Sequence, residues 1–356
     1  MAAVTLHDVA TRAGVSIKTV SNVVRGVASK ASPETARRVR EAIDELGYRP
    51  NLSARRLRSG RSQVIALALP DLRNPYFAEV AAAVIACARA RDYTVFIEET
   101  GGDAAAELDA AEGLSDPMID GVILSPLLLD QKQLTARGNS VPLVLLGERQ
   151  YESPCDHVMF DNVEASQRIT QHLIDQGFRR IAVIGHQKDP PHATAVKQLT
   201  GYRQALRGAG IAYDKTLAPA VSGAPYGRAA GAAAMTQLMT LPEIPEAVYC
   251  FADILAFGAL YAANAAGLRV PGDVALASFD GLEEARFSVP TLTTIAPDLT
   301  AMASIAVSAL IERINATTVL PHRQMSCPYD LIIGQSSQRT PVKRSPRTKT
   351  VATLAR

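Results

Sequence analysis

In residues 14–26, "GVSIKTVSNVVRG", four polar side chains share one arc of a helical wheel: Lys18, Ser21, Asn22 and Arg25. Ile17, Val20, Val23 and Val24 occupy the opposite arc, as an amphipathic helix requires. The chemistry of the polar arc is that of a nucleic-acid reader. Cations and hydroxyls suit phosphate oxygens, and an amide such as Asn22 can pair with a base edge. Ser16, just before the helix, can cap it and leave backbone N–H groups facing an anion. A second candidate group lies further on. Tyr76 and Phe77 follow Asn74 and Pro75 at the end of an apolar strand, where ligands of open α/β sheets gather.

Other chemistry finds little support. The glycine pairs, "GAGIAY" among them, do not form a GxGxxG between strand and helix, and no Walker motif or GxSxG elbow is present. His186 and His192 flank "KDPPH" without a third ligand for zinc. The four cysteines (Cys87, Cys155, Cys250, Cys327) are scattered, with no CxxC, so neither a metal site nor a disulfide framework is expected. The expectation is a protein that is not an enzyme and carries no cofactor and no metal.

The elements that must position the polar arc are legible. Thr5 can cap a first helix with Leu6, Val9, Ala10 and Ala13 at helical spacing, and Gly14 ends it in a left-handed turn. Ser16 opens the second helix, expected over 17–25. In "SPETARRVREAIDELG", Ser32 is the cap, Pro33 the first helical residue and Gly47 the stop, with Ala36, Val39, Ile43 and Leu46 as the apolar stripe. This is a helix-turn-helix pattern. After Pro50, Asn51 can cap a short, charged helix from Leu52 to about Arg58, which would be marginal alone.

Charge separates this head from the rest. Up to Ser62 there are twelve basic and five acidic side chains, a net of +7, which leaves −5 for the remainder of a chain whose overall charge is +2. A basic head on an acidic body fits a polyanion met by the head alone. The full length of 356 residues calls for two or three domains. From Val64 onward apolar strand runs ("VIALALP", "YTVFIEE", "IDGVILSP", "VPLVLLG", "IAVIG", "AVYCF", "VALASF") alternate with helical stretches. That alternation predicts parallel sheets with βαβ crossovers, and the strand number fits two doubly wound sheets. The tail, "TPVKRSPRTKTVATLAR", is basic and aperiodic and is read as disordered. The N-terminus has no basic stretch leading into an apolar run, and no apolar stretch is long enough for a bilayer. The expectation is a cytoplasmic protein with no membrane partner.

The segment "TLHDVATRAGVSIKTVSNVVRG…SPETARRVREAIDELGYRPNLSARRLRSGRS" resembles the lactose/galactose repressor (LacI/GalR) family of bacterial transcription regulators. The likeness continues through "VIALALPDLRNPYFAEV", "FDNVEAS", "HLIDQGFRRIAVIGH", "GLRVPGDVALASFDG" and "PTLTTI", over about residues 4–335. The resemblance implies a homodimer whose paired heads read a near-palindromic operator in double-stranded DNA. It implies a body of two Rossmann-like lobes, like a periplasmic sugar-binding protein, with a small-molecule effector between them. The expected fold is thus an all-α helix-turn-helix head plus an α/β body of two lobes.

By this resemblance Ile17, Lys18 and Asn22 align with base-reading positions, and Thr5, Ser16, Thr19 and Ser21 with phosphate contacts. Asn22 departs from the commonest residue there, arginine; arginine favours guanine, whereas asparagine pairs bidentately with adenine N6 and N7. Ala54 and Leu57 match hinge-helix residues that enter the minor groove, and Arg55, Arg56 and Arg58 would meet flanking phosphates. In the body Asp161 ("FDN") and Asp280 ("SFDG") match polar contacts in the cleft, and Asp253 is a contact or a structural support. Departures are several: Gln198, Ala252 and Gly281 replace the usual arginine, asparagine and acid, and Tyr226 must supply the missing aromatic wall near Ser222. The expected boundaries are a head over 1–50, a hinge over 51–62, a body over 63–338 and the tail from 339. Within the body, the first lobe comprises 63–162 plus 292–325 and the second 163–291 plus 326–338. The function implied is a repressor answering a small polar ligand, a sugar or sugar derivative. The alternatives are a non-sugar ligand such as a nucleoside, or a cytoplasmic solute-binding protein without DNA function.

Overall fold

The structure is a computed structural model that describes residues 4–24, 31–48, 61–137, 141–147, 155–187, 193–221 and 226–339. The chain divides into two compact units, 1–62 and 63–356. The head holds three helices: α1 (Leu6–Ala13), α2 (Ile17–Val24) and α3 (Pro33–Leu46). Their ends are set by the residues the sequence offered. The Thr5 hydroxyl and the Asp8 carboxylate form a reciprocal capping box on α1. Gly14 stops α1 at φ +65°, a conformation a side chain rarely takes. Ser32 caps α3, with Pro33 at its first position and Gly47 past its end. The head's core is small: Val9, Ala10, Ala13, Val20, Val39, Ala42 and Tyr48 are its buried residues. Ala42 rather than Ala36 completes the α3 stripe, Ala36 being only half-buried.

The body is built on two sheets. The first has the order β10-β5-β4-β3-β1-β2 and uses β1 (Val64–Leu69), β2 (Thr94–Glu99), β3 (Gly121–Leu124), β4 (Leu143–Leu146), β5 (Asp156–Met159) and β10 (Gln324–Ser326). All its pairings are parallel. β3 and β4 are buried throughout, as expected of parallel strands covered on both faces. Its helices include α4 (Pro75–Arg89), α5 (Ala104–Ala111) and α6 (Gln131–Ala136). The second sheet runs β11-β9-β8-β7-β6, from β6 (Ile181–Ile184), β7 (Ala247–Cys250), β8 (Ala275–Phe279), β9 (Thr293–Pro297) and β11 (Tyr329–Ile332). Only β11 is antiparallel to its neighbour. With it go α7 (Asn162–Asp175), α8 (Ala193–Gly208), α9 (Arg228–Met239), α10 (Asp253–Ala265) and the short α11 (Glu283–Phe287).

The chain crosses between the sheets three times. It leaves the first after β5, returns after β9 into α12 (Leu299–Asn315), which packs on α4 and β3, and leaves again between β10 and β11. The crossing strands are tied together: the Cys327 N–H donates to Met159 O at 2.7 Å and the Asp298 N–H to Pro328 O at 2.9 Å. This corrects one expected boundary. Residues 293–297 belong to the second sheet, so the return lies at Asp298, not at 292. The expected tail also begins later. Arg339 is anchored, its guanidinium donating to Gly177 O at 2.9 Å, and residues 340–356 lie outside the described residues.

Candidate functional site

On the head, Ser16 sits at the start of α2. Its Oγ accepts the Thr19 N–H at 3.1 Å and lies 2.9 Å from the Thr19 hydroxyl. Val20 is fully buried and Val23 half-buried, which seats the helix. Ile17 is 43% exposed and Val24 37% exposed, so the expected apolar arc narrows to two residues. The outward turn of Ile17 follows from its place at the first helical position, beyond the reach of the small core. Lys18 is exposed, and Ser21 and Asn22 are half-buried. Thr5 is exposed, but its hydroxyl donates to Asp8 Oδ2 at 2.7 Å. The arrangement presents Ser16, Ile17, Lys18 and Thr19 on one outward surface, with Ser21 and Asn22 at its edge. Arg25, Ala54, Arg55, Arg56, Leu57 and Arg58 lie outside the described residues.

In the body, a cavity opens between the carboxyl ends of the two sheets. Tyr76, Phe77, Gln198, Tyr226 and Asp280, all anticipated, line it. It also takes Ser125, Pro126 and Leu127 from the segment after β3, Phe160 and Asn162 from the first crossing, and Phe251 and Phe279 from the ends of β7 and β8. Two anticipated residues are elsewhere. Asp161 is the N-cap of α7, exposed, its Oδ1 accepting the N–H groups of Val163 (3.0 Å) and Glu164 (2.9 Å). A carboxylate committed to a helix end cannot also face the cavity, and the next residue, Asn162, turns in instead. Asp253 is fully buried behind the wall. Its carboxylate accepts the hydroxyls of Ser278 and Thr294 (2.8 Å for the latter) and the Leu282 N–H at 2.8 Å. It is a structural support.

Asp253 and Asp280 form a buried acidic pair. The Asp253 N–H donates to Asp280 Oδ2 at 3.2 Å. Burial, and then the charge of Asp253, push the Asp280 carboxyl well above the usual carboxylate range. Asp253, with two hydroxyls and an amide donating to it, is the member that holds the negative charge. The neighbouring Gly281 has φ +71°, and a Cβ there would meet Ala296 inside bonding range, so an acid cannot stand at that position in this backbone.

Polar groups on the wall are unevenly satisfied. The Tyr226 hydroxyl donates to Gly185 O at 2.5 Å, and Asn74 Oδ1 accepts the Tyr76 N–H at 3.1 Å. Gln198 donates from Nε2 to Phe251 O at 3.0 Å. Among the described residues its Oε1, and both polar atoms of Asn162, have no partner. Buried and unpaired, such groups are costly unless something fills them. The "FDN" run pointed to this place, but only the turn of the helix start decides which of its residues faces inward. Among the described residues no group of His, Cys, Asp and Glu could hold a metal ion, and no helix is long and apolar enough to cross a membrane.

Residues 5–51 match the bacterial regulatory proteins, lacI family, and residues 170–337 the periplasmic binding protein-like domain. The chain is 32% identical over 342 residues to the HTH-type transcriptional repressor CytR of Escherichia coli (strain K12), across 95% of this chain and 98% of CytR. This chain belongs to the lacI family. The lac repressor dimer bound to operator and the anti-inducer ONPF superposes with a TM-score of 0.76 at 25% identity, over 94% of this chain and 99% of that one. The transcriptional regulator CelR in its cellobiose complex has a TM-score of 0.67 at 29% identity, with the same coverage. The chain is a DNA-binding transcriptional repressor of that family, with an effector-binding domain. Its relatives are regulators, not enzymes.

Proposed function

We propose that this protein is a homodimeric repressor that reads a near-palindromic operator with Ile17, Lys18 and Asn22 of α2 and is controlled by an uncharged, carbohydrate-derived ligand bound between the two sheets. The cavity carries this reading. It lies where α/β sheets take ligands, and it holds two fully buried amides, Asn162 and Gln198, with unpaired polar atoms among the described residues. Among the described residues its wall has no lysine or arginine, so nothing there answers a phosphate or a carboxylate. Dimerisation has a surface to use: Phe257 and Phe287 flank a shallow depression with Arg228, Glu283 and Glu284, and Tyr261, Phe287 and Val289 are 72%, 77% and 85% exposed. Exposed apolar groups of this size are typical of interfaces. An operator target puts the working protein in the cytoplasm, on the nucleoid when bound.

The test is a gel-shift titration against DNA fragments selected from a random pool, at salt from about 50 to 200 mM. Selective binding should weaken with a log–log slope of roughly −0.9 per neutralised phosphate. Absence of sequence selectivity at modest salt would remove the repressor reading. Asp280→Ala should leave operator affinity intact and abolish the response to ligand.

A further inference from the structure

The two buried amides of the cavity stand together. Gly201 of α8 packs so closely on the backbone carbonyl of Val163 that a Cβ there would overlap it. That fixes the crossing of α7 and α8 beside Asn162, the first residue of α7, with Gln198 one helical turn before Gly201. Gln198 cannot flip freely, because Phe251 O takes its Nε2 proton. It therefore offers the cavity an acceptor, Oε1. Asn162 offers a donor and an acceptor side by side, Nδ2 and Oδ1, neither partnered among the described residues. Asp280, whose carboxyl burial holds toward the protonated form, adds a third hydrogen-bonding group.

The remaining wall is aromatic and apolar. Tyr76 and Phe77 meet edge to face with ring centroids 5.2 Å apart, and both keep surface toward the cavity. Phe160 and Phe279 stack at 5.8 Å with 24° between their planes. A plain hexose presents hydroxyls around its whole ring, and each one buried against Phe, Leu or Met goes unpaired. A flat heterocycle with an adjacent donor and acceptor on one edge fits better. Its faces meet the aromatic wall, as bases do on stacking platforms, and its edge meets a primary amide, as Asn pairs with a base edge.

We infer that the ligand is an uncharged nucleoside, its base edge held by Asn162 and Gln198 and its sugar hydroxyls directed to the rest of the cleft. The inference rests on the cavity being the effector site, as proposed above.

The experiment uses the full chain and a fixed set of probes: cytidine, uridine, adenosine, inosine, ribose, glucose and cellobiose. Each is tested by thermal shift and calorimetry on the wild type, Asn162→Leu and Gln198→Leu. At least one nucleoside should raise the melting temperature, and ribose and cellobiose should not. Each substitution should weaken that nucleoside at least tenfold. Both variants remove unpaired polar groups, so both should stay folded, and urea melts check this. Binding of ribose, glucose or cellobiose without any nucleoside, weakened by the same substitutions, would overturn the nucleoside and keep the site. A nucleoside bound equally by all three proteins would overturn the site itself. No binding by any nucleoside overturns the inference.

Discussion

The head and the body carry their functional groups in opposite ways. The head works from its outside: Ile17, Lys18 and Thr19 sit on one short helix, and the core beneath them is seven buried side chains. The body works from its inside: Tyr76, Ser125, Asn162, Gln198, Phe251 and Asp280 come from six separate segments and face a shared cavity. A surface reader needs one well-capped helix on a thin support. An internal site needs two sheets, three crossing strands and a buried polar scaffold to bring its groups together. The consequence is that perturbations should separate: changes behind the cavity wall act on the body, and changes under α2 act on DNA binding.

The largest separation is expected from Asp253→Ala. It strands Ser278, Thr294 and the Leu282 N–H in a fully buried place. A loss on the order of 3 kcal/mol follows from unpaired buried donors, visible in urea unfolding followed at the body, with the head's transition unmoved. A loss shared equally by head and body would break the comparison.

An acid-range effect of similar size should also belong to the body. Burial pushes the His157 imidazole down to about 4. The folded state then resists a proton that the unfolded chain accepts below its ordinary 6.5, so stability is complete above pH 6.5 and falls as pH drops toward 4. At about 1.4 kcal/mol per unit this is roughly 3 kcal/mol for a side chain buried to this degree. His172, also depressed by burial, acts in the same direction. Melting temperature against pH should show the drop, and His157→Gln should flatten it.

On the head, Val20→Ala removes a fully buried side chain from a very small core. A cost of about 2 kcal/mol is a large share of what so small a unit holds. Operator affinity should fall while ligand-induced thermal shifts of the body persist. Ser16→Ala is smaller, about 1 kcal/mol for a lost N-cap, read as a lower head melting temperature by circular dichroism.

Much of this organisation was legible in the sequence, and the reasons differ between the two units. The head's boundaries are local chemistry: Thr5, Ser16, Ser32, Pro33, Gly14 and Gly47 each act on their own helix end. The alternation of strands and helices in the body is equally local. Three features were not. β9, β10 and β11 are short edge or near-edge segments whose sheet is decided by pairing partners far along the chain. Asp161 and Asn162 are adjacent, and a rotation of about 100° per helical residue decides which one caps and which one faces the cavity. Asp253 reads as a contact until Ser278 and Thr294, on two other strands, are seen to claim it.

The most direct measurement on the head's role is operator selection from a random DNA pool with wild type and Asn22→Arg. Reading by the polar edge of α2 predicts near-palindromic sites for both proteins, changed at one symmetric pair of positions, from adenine toward guanine. Recovery of the wild-type site by Asn22→Arg would contradict it and leave Asn22 a bystander on that helix.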